Sequence, residues 1–196
     1  MFTKWKIKKL KKKIRVLMEH RLTNTPSDDD LRREIALHHE LGKLYDSLRF
    51  HKKFPYADRD AIESYRVAAN LEDVKAQFIV GQRLLELGKF WDTYVNSLYK
   101  TQTIERYATS TYEEALGYLR AAQGQGSAEA IRLLGLAHIN AWGVPQNQNA
   151  GFKLVVESIE IENAWGRATE IFKQIGLNKP EFFASIMSMR GQNKHD

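Results

Sequence analysis

The chain of 196 residues has no cysteine. That one absence excludes disulfides, thiolate zinc sites, iron–sulfur clusters and a cysteine nucleophile, and it suits a cytoplasmic setting. Long apolar runs are missing as well: nothing approaches the roughly 18 consecutive apolar residues of a membrane-crossing helix. No strand pattern of alternating polarity develops with any strength. Proline is scarce, and each of the four (Pro26, Pro55, Pro145 and Pro180) falls in a loop or at a helix start. The motifs His-Glu-x-x-His and Gly-x-Ser-x-Gly do not occur, nor does a phosphate-cradling glycine loop ending in Gly-Lys-Ser. The signatures of zinc hydrolases, serine hydrolases and P-loop enzymes are therefore absent.

What is present is ordinary in bulk and uneven in distribution. Hydrophobic residues at 43% and charged residues at 28% describe a soluble globular chain, long enough to bury a core as one domain. The net charge of +6 hides an asymmetry: residues 1–21 carry nine Lys/Arg against Glu19 alone, while the other 175 carry 21 Lys/Arg against 23 Asp/Glu. The basicity thus belongs to one N-terminal segment. That segment lacks the apolar core and small-residue cleavage site of a secretory signal, and Phe2 after the initiator Met excludes myristoylation.

Residues 1–22 read as a basic amphipathic helix. At about 100° per residue, Ile7, Leu10, Ile14, Leu17 and Met18 form one narrow apolar stripe. Lys4, Lys6, Lys8, Lys9, Lys11, Lys12, Lys13 and Arg15 fill most of the remaining surface, with Phe2, Trp5 and Val16 opposite the stripe. Pro26 then breaks the chain, and Ser27 or Asp28 can cap a second helix reaching about Leu48. The acidic run Asp28–Asp30 is explained by that helix start, where carboxylates favour the dipole.

Further helices are predicted over Arg59–Asn70 and Asp73–Leu87, with Gly88 as the residue that ends the second. The stretch 90–109, rich in aromatics, reads as an insertion of a helix and a connector. The capping patterns Ser110-x-x-Glu113 and Thr111-x-x-Glu114 predict the next helix over about 111–123. Ala128–Ala141, Asn147–Ile159 and Asn163–Ile175 follow, with Gly176 closing the last. Pro180–Met189 is predicted as a terminal helix.

Small residues recur through this series at one offset. Ala61, Ala68, Ala76 and Gly81 return 54 positions later as Ala115, Ala122, Ala130 and Gly135, with Tyr65 in register with Leu119. Such self-similarity signals a repeat architecture. The stretch from Tyr112 through Ala115, Ala122 and Ala130 to Leu134-Gly135 and Gly143-Val144-Pro145 resembles a Sel-one-like repeat, a helix-pair family related to the tetratricopeptide repeats. The resemblance is strong over 112–147 and weaker over the rest of 60–175. The copy at Ala61–Gly88 lacks the glycine-valine loop. Leu41-Gly42 resembles a degenerate copy 39 residues upstream of Gly81. The resemblance implies an all-α fold, an α-solenoid of antiparallel helix pairs over 27–176, with flanking helices at 1–22 and 177–196. It also implies an adaptor or scaffold, often bacterial, in signalling, secretion or effector–immunity pairing. It names no partner, and its matching residues are structural ones.

Function is therefore expected where the periodicity fails. The basic helix can pack its stripe on the body; its charged surface can also meet an anionic membrane, or else nucleic acid or an acidic protein. A lysine run attracts phosphate without reading bases. The nine residues Lys4, Trp5, Lys6, Lys8, Lys9, Lys11, Lys12, Lys13 and Arg15 form the candidate anionic-surface site. Trp91, Tyr94 and Tyr99 in the aromatic stretch are candidate partner-binding residues, or else core. His38, His39 and Glu40 are consecutive and do not converge on one ligand. His138 suits packing. No catalytic residue, metal ligand, cofactor or small-molecule substrate is assigned. The expected function is a non-enzymatic protein–protein adaptor or inhibitory partner, with its basic helix at the inner face of a membrane. A nucleic-acid-associated protein is the alternative, and an enzyme of unknown type the most distant reading.

Overall fold

A computed structural model describes residues 2–192. Those residues form nine α-helices, one 3-10 turn and no strand. The chain divides into two compact units, Met1–Val80 and Gly81–Asp196.

The first unit holds α1 (Phe2–Thr23), α2 (Asp28–Asp46), α3 (Ala57–Asn70) and the start of α4 (Val74–Val95). Pro26 and Ser27 turn the chain between α1 and α2. Ser27 caps α2 by accepting the Asp30 backbone N–H at 3.1 Å, and it donates its hydroxyl to the Asp30 carboxylate at 2.8 Å. The donated hydroxyl holds the Asp30 carboxyl below the usual carboxylate range. The apolar stripe of α1 lies on α2, with Leu10 and Ile14 buried against a core that includes Leu41 and Tyr45. Between α2 and α3 the Tyr65 ring covers Gly42 so closely that a Cβ there would lie 2.7 Å from the ring. The Tyr65 hydroxyl donates to Asp46 at 3.0 Å. Asp73 accepts the Ala76 backbone N–H at 2.7 Å and lies 2.7 Å from His39 Nε2, so one carboxylate caps the start of α4 and ties it to α2.

The second unit holds the rest of α4 with α5 (Gln102–Gly124), α6 (Ala128–Asn140), α7 (Gln148–Ile161), a 3-10 turn at Trp165–Arg167, α8 (Ala168–Gln174) and α9 (Pro180–Gln192). Its core runs through Ile139, Phe152, Val155, Ile159, Phe172 and Ile186. α9 supplies Ile186, and it packs Phe182 against Phe152 and Phe183 against Phe172. Residues 193–196, the end of the predicted tail, lie outside the described residues.

The recurring small residues sit where helices touch. Ala61, Ala68, Ala76, Ala115, Ala122 and Ala130 have no exposed surface. A Cβ on Gly81 would lie 2.7 Å from Leu119 and 3.1 Å from the Ala115 carbonyl oxygen. One on Gly135 would lie 2.7 Å from the Gly151 carbonyl oxygen and 3.1 Å from Val155. A Cβ on Gly143 would collide with the Tyr112 side chain in the same way. Five interhelical turns also share one local geometry. Glu72, Gly126, Ala141, Asn163 and Gly176 have φ of +64°, +82°, +59°, +49° and +74°. The following N–H in each case reaches back to a carbonyl: Asp73 to Ala68 at 3.2 Å, Ser127 to Ala122 at 3.0 Å, Trp142 to Ala137 at 2.9 Å, Ala164 to Ile159 at 2.9 Å and Leu177 to Phe172 at 2.8 Å. These are the long-range bonds of left-handed helix caps.

Three boundaries depart from expectation. Gly88 does not end its helix; α4 runs on to Val95, and Gly88 is there because a Cβ would lie 2.6 Å from the Tyr112 ring. Ser110 and Thr111 do not start one: α5 begins after Thr101, which accepts the Ile104 N–H at 3.2 Å, while the Ser110 and Thr111 hydroxyls donate back to the Tyr107 carbonyl. The stretch 90–109 is therefore two elongated helices joined by residues 96–101, with no separate inserted helix. Asn163–Ile175 is also not one helix. Neither Ala164 nor Arg167 offers a side-chain cap, so the tighter 3-10 turn meets the first free N–H groups before α8 begins.

Two glycine substitutions separate backbone strain from packing. Gly126 has open space around it, so Gly126→Ala should cost only the left-handed φ, about 1 kcal/mol in urea unfolding. Gly135→Ala drives a methyl into a carbonyl of the neighbouring helix and should cost roughly 2–3 kcal/mol.

Candidate functional site

With Leu10 and Ile14 turned inward, the cations of α1 are left on its outer surface. Lys4, Lys8, Lys9, Lys11, Lys12, Lys13 and Arg15 are exposed. Lys6 pairs with Glu40 at 3.2 Å, and Arg15 approaches Glu19 at 4.0 Å. Among the described residues, Lys4, Lys8, Lys9, Lys12 and Lys13 have no carboxylate within ion-pair distance. Lys8, Lys11, Lys12 and Arg15 recur at helical spacing and line one shallow cleft of about 320 Å³. Trp5, 55% exposed, stacks with Phe2 at 5.9 Å and carries the Lys9 ammonium over its ring at 4.9 Å. The structure thus leaves the predicted anionic-surface cations exposed on α1, except that Lys6 is committed to Glu40 and that Lys11, over the Tyr45 ring, and Lys12 and Lys13 lie along its flanks with α2. Among the described residues no helix is long and apolar enough to cross a membrane.

The far end of α1 is held by an interaction that sequence patterning missed. Glu34, only 1% exposed, accepts two bonds from Arg21, from Nε at 3.1 Å and Nη2 at 3.2 Å. Bidentate guanidinium–carboxylate geometry is among the stronger charged contacts. Removing Arg21 would strand the buried Glu34 carboxylate, at about 3–5 kcal/mol, whereas Arg21 is exposed enough to be hydrated without Glu34. The available signal was a carboxylate sharing the buried face of α2 with His38, Leu41 and Tyr45. His38, one turn on, is buried with no partner for either ring nitrogen.

The aromatic stretch forms a second surface. Trp91 stacks on Tyr107 across α4 and α5 at 5.7 Å; Phe90 meets Trp91 edge-on at 5.5 Å and Tyr94 edge-on at 5.2 Å, and Tyr94 lies tilted to Trp91 at 6.1 Å. Phe90 and Tyr107 are half exposed. Trp91 and Tyr94 are therefore brought together, whereas Tyr99 lies in the connecting loop, exposed and outside the ring cluster. Beside the cluster, a polar cleft of about 410 Å³ is lined by Asp92, Glu105, Glu113 and Tyr112. The buried Tyr112 hydroxyl donates to Asp92. Burial, and then that carboxylate, pushes the phenol well above the usual tyrosine range. Among the described residues no group of three or more His, Asp or Glu side chains could hold a metal ion.

Comparison with protein-family models finds no match, and comparison with curated protein sequences finds none either.

His38 makes the first unit pH-sensitive in a definite direction. Burial lowers its pKa, against the opposing pull of Glu34. In the unfolded chain the ring titrates near 6.5, so below that pH the unfolded state takes up a proton that the folded state refuses. Stability is then lost as the pH falls. Urea unfolding followed from pH 7.5 to 5.5 should show a falling midpoint, and His38→Leu should remove that dependence.

Proposed function

We propose that the protein is a non-enzymatic helical-repeat scaffold of the Sel-one-like kind, which α1 brings to an anionic membrane surface. The carrying observation is the segregation on α1. Leu10 and Ile14 of its apolar stripe are buried against α2, and Lys4, Lys8, Lys9 and Arg15 remain exposed with Phe2 and Trp5 among them. A helix so arranged lies on a surface and does not insert. Each lysine near an anionic leaflet contributes about 1 kcal/mol, and an interfacial tryptophan adds to it. The scaffold half is supported by the left-handed turns that close α3, α5 and α7 at Glu72, Gly126 and Asn163, a geometry that also closes α6 at Ala141 and α8 at Gly176. It rests also on the close contacts at Gly81 and Gly135. On this reading the chain joins helix pairs into a solenoid whose partner is a protein. The cluster of Phe90, Trp91, Tyr94 and Tyr107 is the aromatic surface through which that partner binds, and the setting is cytoplasmic, peripheral to the membrane.

A second reading, attachment to nucleic acid through the same lysines, draws on the same charge. It lacks any counterpart for Phe2 and Trp5 beyond stacking.

Vesicle co-sedimentation separates the two. The full chain should bind vesicles containing anionic lipid, release them as salt is raised and ignore neutral vesicles. Lys4→Glu/Lys8→Glu/Lys9→Glu should weaken binding by at least about 100-fold. Equal affinity for any DNA duplex at moderate salt, with no vesicle binding, would replace the membrane reading with the nucleic-acid one.

A further inference from the structure

Alongside α1 runs an open trench of about 570 Å³ whose other wall is α2. Its floor is apolar: Val16 and Leu17 from α1, Ala36 and Leu37 from α2. Its edges carry Lys12 and Lys13 on one side, Arg33 and Glu40 on the other. We infer that this trench is a docking groove for an amphipathic helix of a partner protein, one that bears carboxylates along the edge facing α1. The inference rests on the interaction-protein reading above and names the chemistry of one partner segment.

Charge selects the occupant. Arg33 is already bonded to Asp29 at 2.7 Å and Glu40 to Lys6 at 3.2 Å, so the α2 edge is largely neutralised. Lys12 and Lys13 have no carboxylate among the described residues. The unmatched charge along the groove is therefore positive and confined to the α1 edge. The form of the groove selects a helix over an acyl chain. Both walls repeat at helical spacing, 12/13 then 16/17 on α1 and 33, 36/37, 40 on α2, which offers side-chain ridges for a third helix to interleave. Arg33 to Glu40 spans about 11 Å, two turns of an occupant. Val16 is 57% exposed and Ala36 is also exposed, so the trench is open along its length. A lipid tail there would stay half wetted, whereas small-molecule sites enclose most of their ligand. A helix is broad enough to cover both walls. Its partner face would follow the familiar i, i+3, i+4, i+7 pattern of helix-in-groove recognition. The hairpin also has room for it: of α1 only Leu10 and Ile14 are fully buried, so α1 and α2 together expose the unfinished side of a three-helix layer.

The test is fluorescence anisotropy of the full-length protein with three labelled, designed helical peptides. All share leucines at i, i+3, i+4 and i+7, and they differ only in flanking Glu, Gln or Lys. The Glu-flanked peptide should bind at least about fivefold tighter than the Gln-flanked one, with the Lys-flanked one weakest. Lys12→Glu/Lys13→Glu should reverse that order, Leu37→Ser should weaken all three by about tenfold, and Lys8→Glu/Lys9→Glu should leave the order intact. Circular dichroism and the urea midpoint establish that each variant folds. Equal binding of the three peptides, binding of none, or reversal by Lys8→Glu/Lys9→Glu would overturn the proposal. Saturable uptake of a lysophospholipid monomer, blocked by Leu37→Ser, with no peptide binding would overturn it in favour of an acyl site. Charge-ordered peptide binding without vesicle binding sinks the membrane reading alone; vesicle binding with equal peptide binding sinks the groove alone.

Discussion

The close approach of helices at small residues constrains everything else in this protein. At Gly81 and Gly135 the neighbouring helix leaves no room for even a methyl group, and its backbone carbonyl lies within reach of the position a Cβ would take. Contacts so tight fix how far apart helix axes lie and which residues can face inward, because packed interiors have little slack to redistribute. Alanines at Ala61, Ala68, Ala115 and Ala122 extend that condition along the helices. Bulky residues then fill the space beside these contacts, as Leu119 does over Gly81 and Tyr65 over Gly42.

The N-terminal hairpin obeys a looser rule. α1 is held on α2 by a two-residue apolar seam and, at the far end, by the bidentate Arg21–Glu34 pair. A buried ion pair contributes little net stability relative to an apolar substitute, but it strongly penalises any arrangement that leaves one charge unpaired. Its effect is directional: α1 can be displaced along or around α2 only by stranding a buried carboxylate. Rotation of α1 would carry its lysines toward the core, so the pair and the seam together set which face the cations occupy.

Legibility in the sequence followed the range of the interaction. The periodic stripe of α1 and the Ser27 cap are specified by neighbours a few positions apart, and the small residues at helix crossings by their recurrence at one offset of 54, so each was readable. The ends of α4 and α5 were not. Gly88 carries the signal of a helix terminator and Ser110/Thr111 those of helix starts, yet Tyr112, 24 residues beyond Gly88, needs the missing Cβ and the elongated helices that flank it. A local capping pattern is a weak preference, and tertiary packing overrides it. Glu34 was only half readable for a related reason: it stands on the buried face of α2, but the partner that permits its burial, Arg21, lies across the hairpin. The aromatic stretch was visible as composition, but its division into a ring cluster and an isolated Tyr99 depends on where α4 stops.

The same geometry bears on how the two unusual surfaces can work. α1 has already used its apolar stripe, so any attachment through it relies on charge and on two interfacial rings. Such attachment is shallow, weakened by salt and reversible. The aromatic cluster on α4 and α5 is different in kind. Its rings hold one another at 5.2–6.1 Å before any partner arrives, so little side-chain freedom remains to be lost on binding. A preorganised aromatic surface favours persistence, and a lysine face favours capture and release. On the proposed reading, a chain that carries both would hold one partner while its hold on a surface changes with ionic conditions.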